Sequence, residues 1–345
     1  MKSYADWKSA VRGVSVGIVA ELLSTFLSAL VATNSAGAIS NVVEKTTGVS
    51  VNVTQVNDPV ERDYLKLLEM DDAAQAEVDR WIKENNEFKA QGAGVESITL
   101  NTRIEKRFAP VRKAYEEFLQ RNPEHARARL AYGSFLNDIQ EEEAAQLQWE
   151  KAREADPKNP AAWNNLANYY GHNGPVTNSF RYYAKAIELD PTESTYYFNL
   201  ATTVYLFRRD ATNFYQIGEE QVFEKAMALY RKALELDPGN FVLATDYAQS
   251  YYGFDPKPTG DPEQDRKIKE KRFADAIAAW QQAFKLAGDD VERQGVLMHY
   301  ARLQINADRF DDARKNLDAV TNDMFKVTKG NLLKKLENRK KAAGK

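Results

Sequence analysis

His125, His172 and His299 are the only three histidines in the chain. No His-x-x-x-His or Glu-x-x-His spacing joins any of them to a partner. A structural zinc needs four nitrogen or sulfur ligands in a tetrahedron, and the chain has no cysteine. Zinc chemistry, a thiol nucleophile and disulfides therefore drop out together. Asp255, Asp261, Glu263 and Asp265 crowd one loop, but their spacing does not fit a twelve-residue calcium loop and reads as helix capping and solvated charge. Glu141-Glu142-Glu143 opens a helix, where carboxylates suit the positive end of the dipole. His172, beside Gly171, reads as a polar turn residue, and Gly92 with Gly94 reads as a helix break. Neither a Gly-x-Ser-x-Gly elbow nor a phosphate-binding Walker loop is present. No enzyme activity, metal or cofactor is expected.

Whatever these residues do, helical hairpins must position it. Between Pro160 and Pro191, Trp163, Leu166, Ala167 and Tyr170 share one helical face. Gly171, Gly174 and Pro175 form a turn, and Ser179, Tyr183 and Ala186 mark a second helix. Pro191 ends it, because proline cannot continue a helix and biases the preceding residue away from α. Pro123, Pro157 and Pro191 recur at intervals of 34, with Pro238 following after 47. Such a period points to stacked helix pairs.

A small–large code recurs at that period. In the first helix of each pair the small position is Gly133, Ala167, Ala201, Ala248 and Ala301. The second helix carries Ala145, Ser179, Ala226, Ala276 and Ala313. Four residues on come Trp149, Tyr183, Tyr230, Trp280 and Leu317, and then Ala152, Ala186, Ala233, Ala283 and Val320. Helices approach to about 8–10 Å only where a small residue on one side meets a filler on the other.

These residues resemble the tetratricopeptide repeat. The resemblance implies an all-α fold, a right-handed α-solenoid of about five helix-turn-helix repeats. By register they run 126–159, 160–193, 194–240, 241–293 and 294–325. The third and fourth are long. Residues around Tyr205–Phe223 read as lengthening both helices of the third. Gly253–Arg272 reads as a Pro/Gly loop, with Asp261-Pro262 restarting a helix. Both interruptions fall between the two helices of a repeat, which places them on one edge.

The array is expected over 122–325. Residues 59–121 read as an amino-terminal helical cap or degenerate repeat. There Asp58 caps a helix opened by Pro59, and its apolar stripe includes Tyr64, Trp81, Ile82 and Phe88. Residues 326–345 read as a capping helix and basic tail whose final residues, from Arg339 on, fray. That tail holds eight Lys/Arg against one Glu, and the net charge of the whole chain is −3. The charge balance gives no basic footprint, so no nucleic-acid partner is expected. Residues 39–58 read as an extended linker with room for one short strand at Val49, Val51 and Val53.

Residues 1–38 carry Lys2, Lys8 and Arg12 before an apolar run, with Ala36-Gly37-Ala38 beyond it. This is the pattern of a signal peptide, and with it of an exported, periplasmic bacterial protein. An uncleaved membrane anchor at 14–32 and an ordinary amphipathic helix are the alternatives. Glu21 counts against both membrane readings.

In the tetratricopeptide family the concave groove is lined by the first helix of each repeat. The resemblance therefore implies groove places at Arg127, Asn165, Asn168, Asn199, Thr202, Asp246 and Gln249, with His299 and Arg302 in the last repeat. Asn165 and Asn199 occupy the same place in successive repeats. An amide offers donor and acceptor together, and a row of them can pair with an extended peptide; a hydrogen bond between adjacent helices is the alternative use. Relatives that clamp a terminal carboxylate use Lys and Arg at such places, and the second and third repeats here have none. The implied function is a non-catalytic scaffold that binds a protein or peptide through its groove and edge insertions. The alternative is a structural subunit of a bacterial cell-envelope complex held by its edges and ends.

Overall fold

The computed structural model describes residues 58–344 apart from Gln91 and Asp255. The expected leader or anchor at 1–38 and nearly all of the linker lie outside the described residues. Those described are helical, without strands, and fall into two compact units divided between Pro191 and Thr192.

The first unit opens with two long helices, α1 (Pro59–Ala90) and α2 (Ser97–Arg121), which pack together. Asp58 Oδ1 accepts from the Val60 amide at 2.9 Å and caps α1, and Pro59 at the first helical position costs no hydrogen bond. Tyr64, Leu67, Val78 and Ile82 are buried from α1, Ile104, Val111, Tyr115 and Phe118 from α2. Phe88 departs from the expected stripe: it is 54% exposed, at an open hairpin tip where Ile98 is exposed as well. The chain turns back where buried Asn85 accepts from the Val95 amide at 2.8 Å. Pro110 lies inside α2 without dividing it.

Two hairpins follow, α3 (Ala126–Asp138) with α4 (Glu142–Ala155) and α5 (Pro160–Asn173) with α6 (Val176–Leu189). The turn between α5 and α6 is shorter than expected. Gly174, at φ 63°, makes it with Pro175, whereas Gly171 and His172 belong to α5. Trp163, expected among the buried face residues, is only half-buried. Its indole donates to Pro157 O at 2.9 Å and meets Tyr182 edge-on, centroids 5.2 Å apart.

The second unit contains α7 (Ser194–Leu206), α8 (Arg208–Tyr215), α9 (Glu219–Leu236), α10 (Phe241–Gln249), α11 (Pro262–Leu286), α12 (Asp290–Asn306), α13 (Phe310–Asp318) and α14 (Lys326–Ala342). The third repeat corrects its sequence reading. Its first helix is not lengthened: Phe207 leaves helical geometry at ψ 45°, Arg208 Nη1 bonds the Tyr205 carbonyl at 2.9 Å, and α8 is a separate short helix. Gln216, in the left-handed region at φ 55°, ends α8 before α9 begins. In the fourth repeat Asp261 caps α11, accepting from the Glu263 amide at 2.9 Å. Arg339, expected to fray, lies within α14 and donates to Asp308 at 2.8 Å.

Every small and large position of the repeat code is buried, including all five residues of the bulky set. Pro123, Pro157, Pro191 and Pro238 all fall between hairpins. Gly133 leaves no room for a side chain, since a Cβ there would lie 2.4 Å from Trp149 Nε1. That ring is fixed by its own hydrogen bond to the Leu130 carbonyl at 3.3 Å. Alanine would gain about 1 kcal/mol in helix propensity but overpack a site of the kind that costs about 1–3 kcal/mol. Gly133→Ala is expected to lower stability by about 1 kcal/mol, read from the midpoint of a urea melt; an increase would contradict the close contact.

Candidate functional site

The bulky residue of the second helix does more than fill space. In the second repeat Tyr183 donates its hydroxyl hydrogen to Asn168 Oδ1. In the third, the Tyr230 hydroxyl and Thr202 Oγ1 lie 3.0 Å apart. In the first, Trp149 bonds the Leu130 carbonyl. In each case a polar atom on the second helix is tied to the first helix of its own repeat. Asn168 and Thr202, both one residue after the small position, are therefore braces within a hairpin. Their use in a groove is limited accordingly, since a group already bonded gains little from a new partner.

Two residues before the small position stand Ala131, Asn165, Asn199, Asp246 and His299. The first unit contributes Asn165, half-buried, whose Oδ1 accepts from Asn164 Nδ2 at 3.3 Å while its own amide hydrogens bond nothing among the described residues. Arg127, on the same helix set, is drawn elsewhere. Its guanidinium pairs with Glu61 of α1 and lies 5.2 Å from the Tyr64 ring centroid.

In the second unit Asn199 is half-buried, and its carbonyl accepts from Thr203 Oγ1 at 2.9 Å. Asp246 is also half-buried. Its backbone carbonyl accepts from Ser250 Oγ at 2.9 Å, but among the described residues no donor or cation bonds its carboxylate. Burial lifts that carboxyl to about 7, because the charged form loses hydration without a counter-ion. Nearby Tyr230 is itself pushed up to about 12 by burial, and the Asp246 charge adds to that shift. Gln249 is exposed.

His299 ends the row. Its ring stacks on Trp280 at 4.1 Å and 12°, and Tyr252 donates to its carbonyl at 3.1 Å. Burial, with Arg302 adding to it, lowers its pKa to about 4, so the imidazole is neutral and structural. His125 is equally committed, accepting from the Ala128 amide at 3.0 Å as the cap of α3.

The two interruptions of the second unit meet. Phe254 stacks on Phe223 at 4.9 Å, and the Arg272 guanidinium covers both rings at 4.9 and 4.4 Å. Arg272 also pairs with Glu220, and Lys257 with Glu219 at 3.0 Å. A cleft of about 740 Å³ opens beside them, lined by Phe223, Leu234, Tyr247, Tyr251 and Arg272 among others. The sequence showed both insertions but not the arginine that joins them, because its partner Glu220 lies 52 residues earlier, in another helix. Among the described residues no group of three or more metal-binding side chains is present, and no helix is long and apolar enough to cross a membrane.

Comparison with known proteins bears on this architecture. The sequence matches no curated protein. Solved structures overlap it in part. PilF of Pseudomonas aeruginosa is 15% identical with a TM-score of 0.45, over 71% of this chain and 90% of that one. YrrB, described as a tetratricopeptide protein with an unusual peptide-binding site, is 14% identical with a TM-score of 0.44, over 60% and 90%. A thermophilic tetratricopeptide protein of Thermus thermophilus is 17% identical with a TM-score of 0.40, over 60% and 98%. Family models described as tetratricopeptide repeat match residues 143–194 and 222–240. Those are stretches in which the buried small–large code was found, and there the chain carries tetratricopeptide repeats.

Proposed function

We propose that the chain is a protein-binding scaffold whose first-helix residues hold an extended stretch of a partner. The observation that carries this reading is a shared register: Asn199 and Asp246 in the second unit, and Asn165 in the first, each stand two residues before the small position of their repeat. These polar residues remain partly open to solvent, and Asn165 and Asp246 keep hydrogen-bonding capacity that no partner among the described residues takes up. Amides so placed suit a peptide backbone, which presents a donor and an acceptor at each residue. No catalytic role is assigned to any of them. The insertion edge, tied together by Phe223, Phe254 and Arg272, offers a second contact surface for the same partner.

The test is Asn165→Ala combined with Asn199→Ala in the full chain, against a partner captured from native extract. Binding is expected to weaken about tenfold, corresponding to about 1.4 kcal/mol, with the melting temperature nearly unchanged. A fall in stability with binding spared would make the amides structural. We further propose export, on the strength of Lys2, Lys8 and Arg12 before the apolar run ending near Ala32. Amino-terminal sequencing of the mature protein tests it, with cleavage after Ala38 the expected result.

A further inference from the structure

Asp246 stands where Asn165 and Asn199 stand in the preceding repeats, but it replaces an amide with a carboxylate. An amide in this row can serve a peptide backbone from either side. A carboxylate can only accept. We propose that Asp246 is a receptor for a positively charged group of the bound peptide, an ammonium or guanidinium carried by a side chain or by a free amino terminus. This inference rests on the groove reading above and names the chemistry of the partner at one position of it.

Three observations within the second unit support it. First, the Asp246 carboxylate has no hydrogen bond and no ion pair among the described residues, although it is half-buried. A carboxylate withdrawn from water ordinarily has such a partner. Second, the polar groups around it are already committed to one another. Thr202 is bonded to Tyr230, and Ser250 donates to the Asp246 backbone carbonyl. None of them supplies a cation. Third, the next place in the row is closed, because the neutral His299 is stacked on Trp280. Asp246 is thus the last open position of the row in this unit. The lift of its carboxyl to about 7 by burial agrees with the geometry, since a charge without a counter-ion gains most from acquiring one. A charge-assisted hydrogen bond there is about twice as strong as a neutral one.

The test uses the full chain and pools of amidated nonapeptides, random except for one fixed residue, with binding read by fluorescence anisotropy at pH 8. One set is acetylated and fixed as Lys, Arg, norleucine or Glu; the other has the norleucine pool with a free amino terminus. Acetylated Lys or Arg pools binding about tenfold tighter than the norleucine and Glu pools, with that preference lost in Asp246→Asn, supports a side-chain ligand. The same pattern shown by the free-amine pool alone supports the amino terminus. No preference for a cation, or one that Asp246→Asn leaves intact, overturns the assignment; the groove reading survives if the pools still bind and lose affinity in the Asn165→Ala, Asn199→Ala chain. If no pool binds, both readings fall. The Asp246→Asn chain must melt no lower than the parent, so that a lost preference cannot be ascribed to unfolding.

Discussion

Replacing Trp280 by alanine is expected to lower the unfolding free energy by about 3–5 kcal/mol, the range for a large aromatic removed from a packed interior. Trp280 is 1% exposed and stacks on His299 at 4.1 Å, with Tyr252 at 6.3 Å beyond. Its removal leaves a cavity and also exposes one face of an imidazole that burial keeps neutral. Chemical denaturation followed by far-ultraviolet circular dichroism measures the loss. Trp280→Phe, which retains a stacking ring, should recover more than half of it. A loss below about 1 kcal/mol would mean that this side chain is not part of the core.

The second large effect has the opposite sign and depends on pH. Asp71, on α1, accepts from the Tyr115 hydroxyl at 2.7 Å. Burial first, and then the charges of Asp138 and Asp72, raise its carboxyl from 3.8 to about 7, with the Tyr115 bond opposing them. Well below pH 4 the group is protonated in both folded and unfolded chains and contributes no difference. As the pH rises toward 7 the unfolded chain releases its proton and the folded one retains it, so stability is lost across that window and stays lost above it. An asparagine in its place would keep an acceptor for Tyr115 and carry no charge. Asp71→Asn is therefore expected to stabilise the protein by about 2–3 kcal/mol at pH 8 and to have little effect at pH 4. Urea melts at the two pH values decide it. Equal effects at both would show that ionisation of Asp71 does not limit stability.

The repeat code could be read from sequence because each of its positions answers a purely local demand. Ala167 and Ala201 must be small and Tyr183 and Tyr230 large wherever two helices nest, and prolines such as Pro157 and Pro191 can sit only between hairpins. What depends on distant partners was hidden. Nothing local distinguishes Asn168 from Asn165, yet a tyrosine 15 residues away ties up one and not the other. Arg127 has its partner in Glu61, 66 residues earlier, which no local pattern announces. The segment 208–215 has helical residues throughout, and only the non-helical backbone at Phe207, with the Arg208 bond to the Tyr205 carbonyl, shows that it begins anew. Trp163 shared its helical face with buried residues, but periodicity cannot say how far an outer layer covers a face. The shared register of Asn165, Asn199 and Asp246 was legible; that Asp246 has no donor or cation beside its carboxylate among the described residues was not, since that requires knowing what surrounds it.

The braces inside the hairpins also bear on how the chain folds. Tyr183 meets Asn168 across 15 residues and Tyr230 meets Thr202 across 28. Closing the longer loop costs only about 0.6 kcal/mol more in chain entropy, so the insertion of α8 slows registration of its hairpin very little. Contacts this close in sequence favour rapid folding, and each hairpin can align its two helices before a neighbour arrives. A lineage could thus duplicate or drop one hairpin and still find the others correctly aligned.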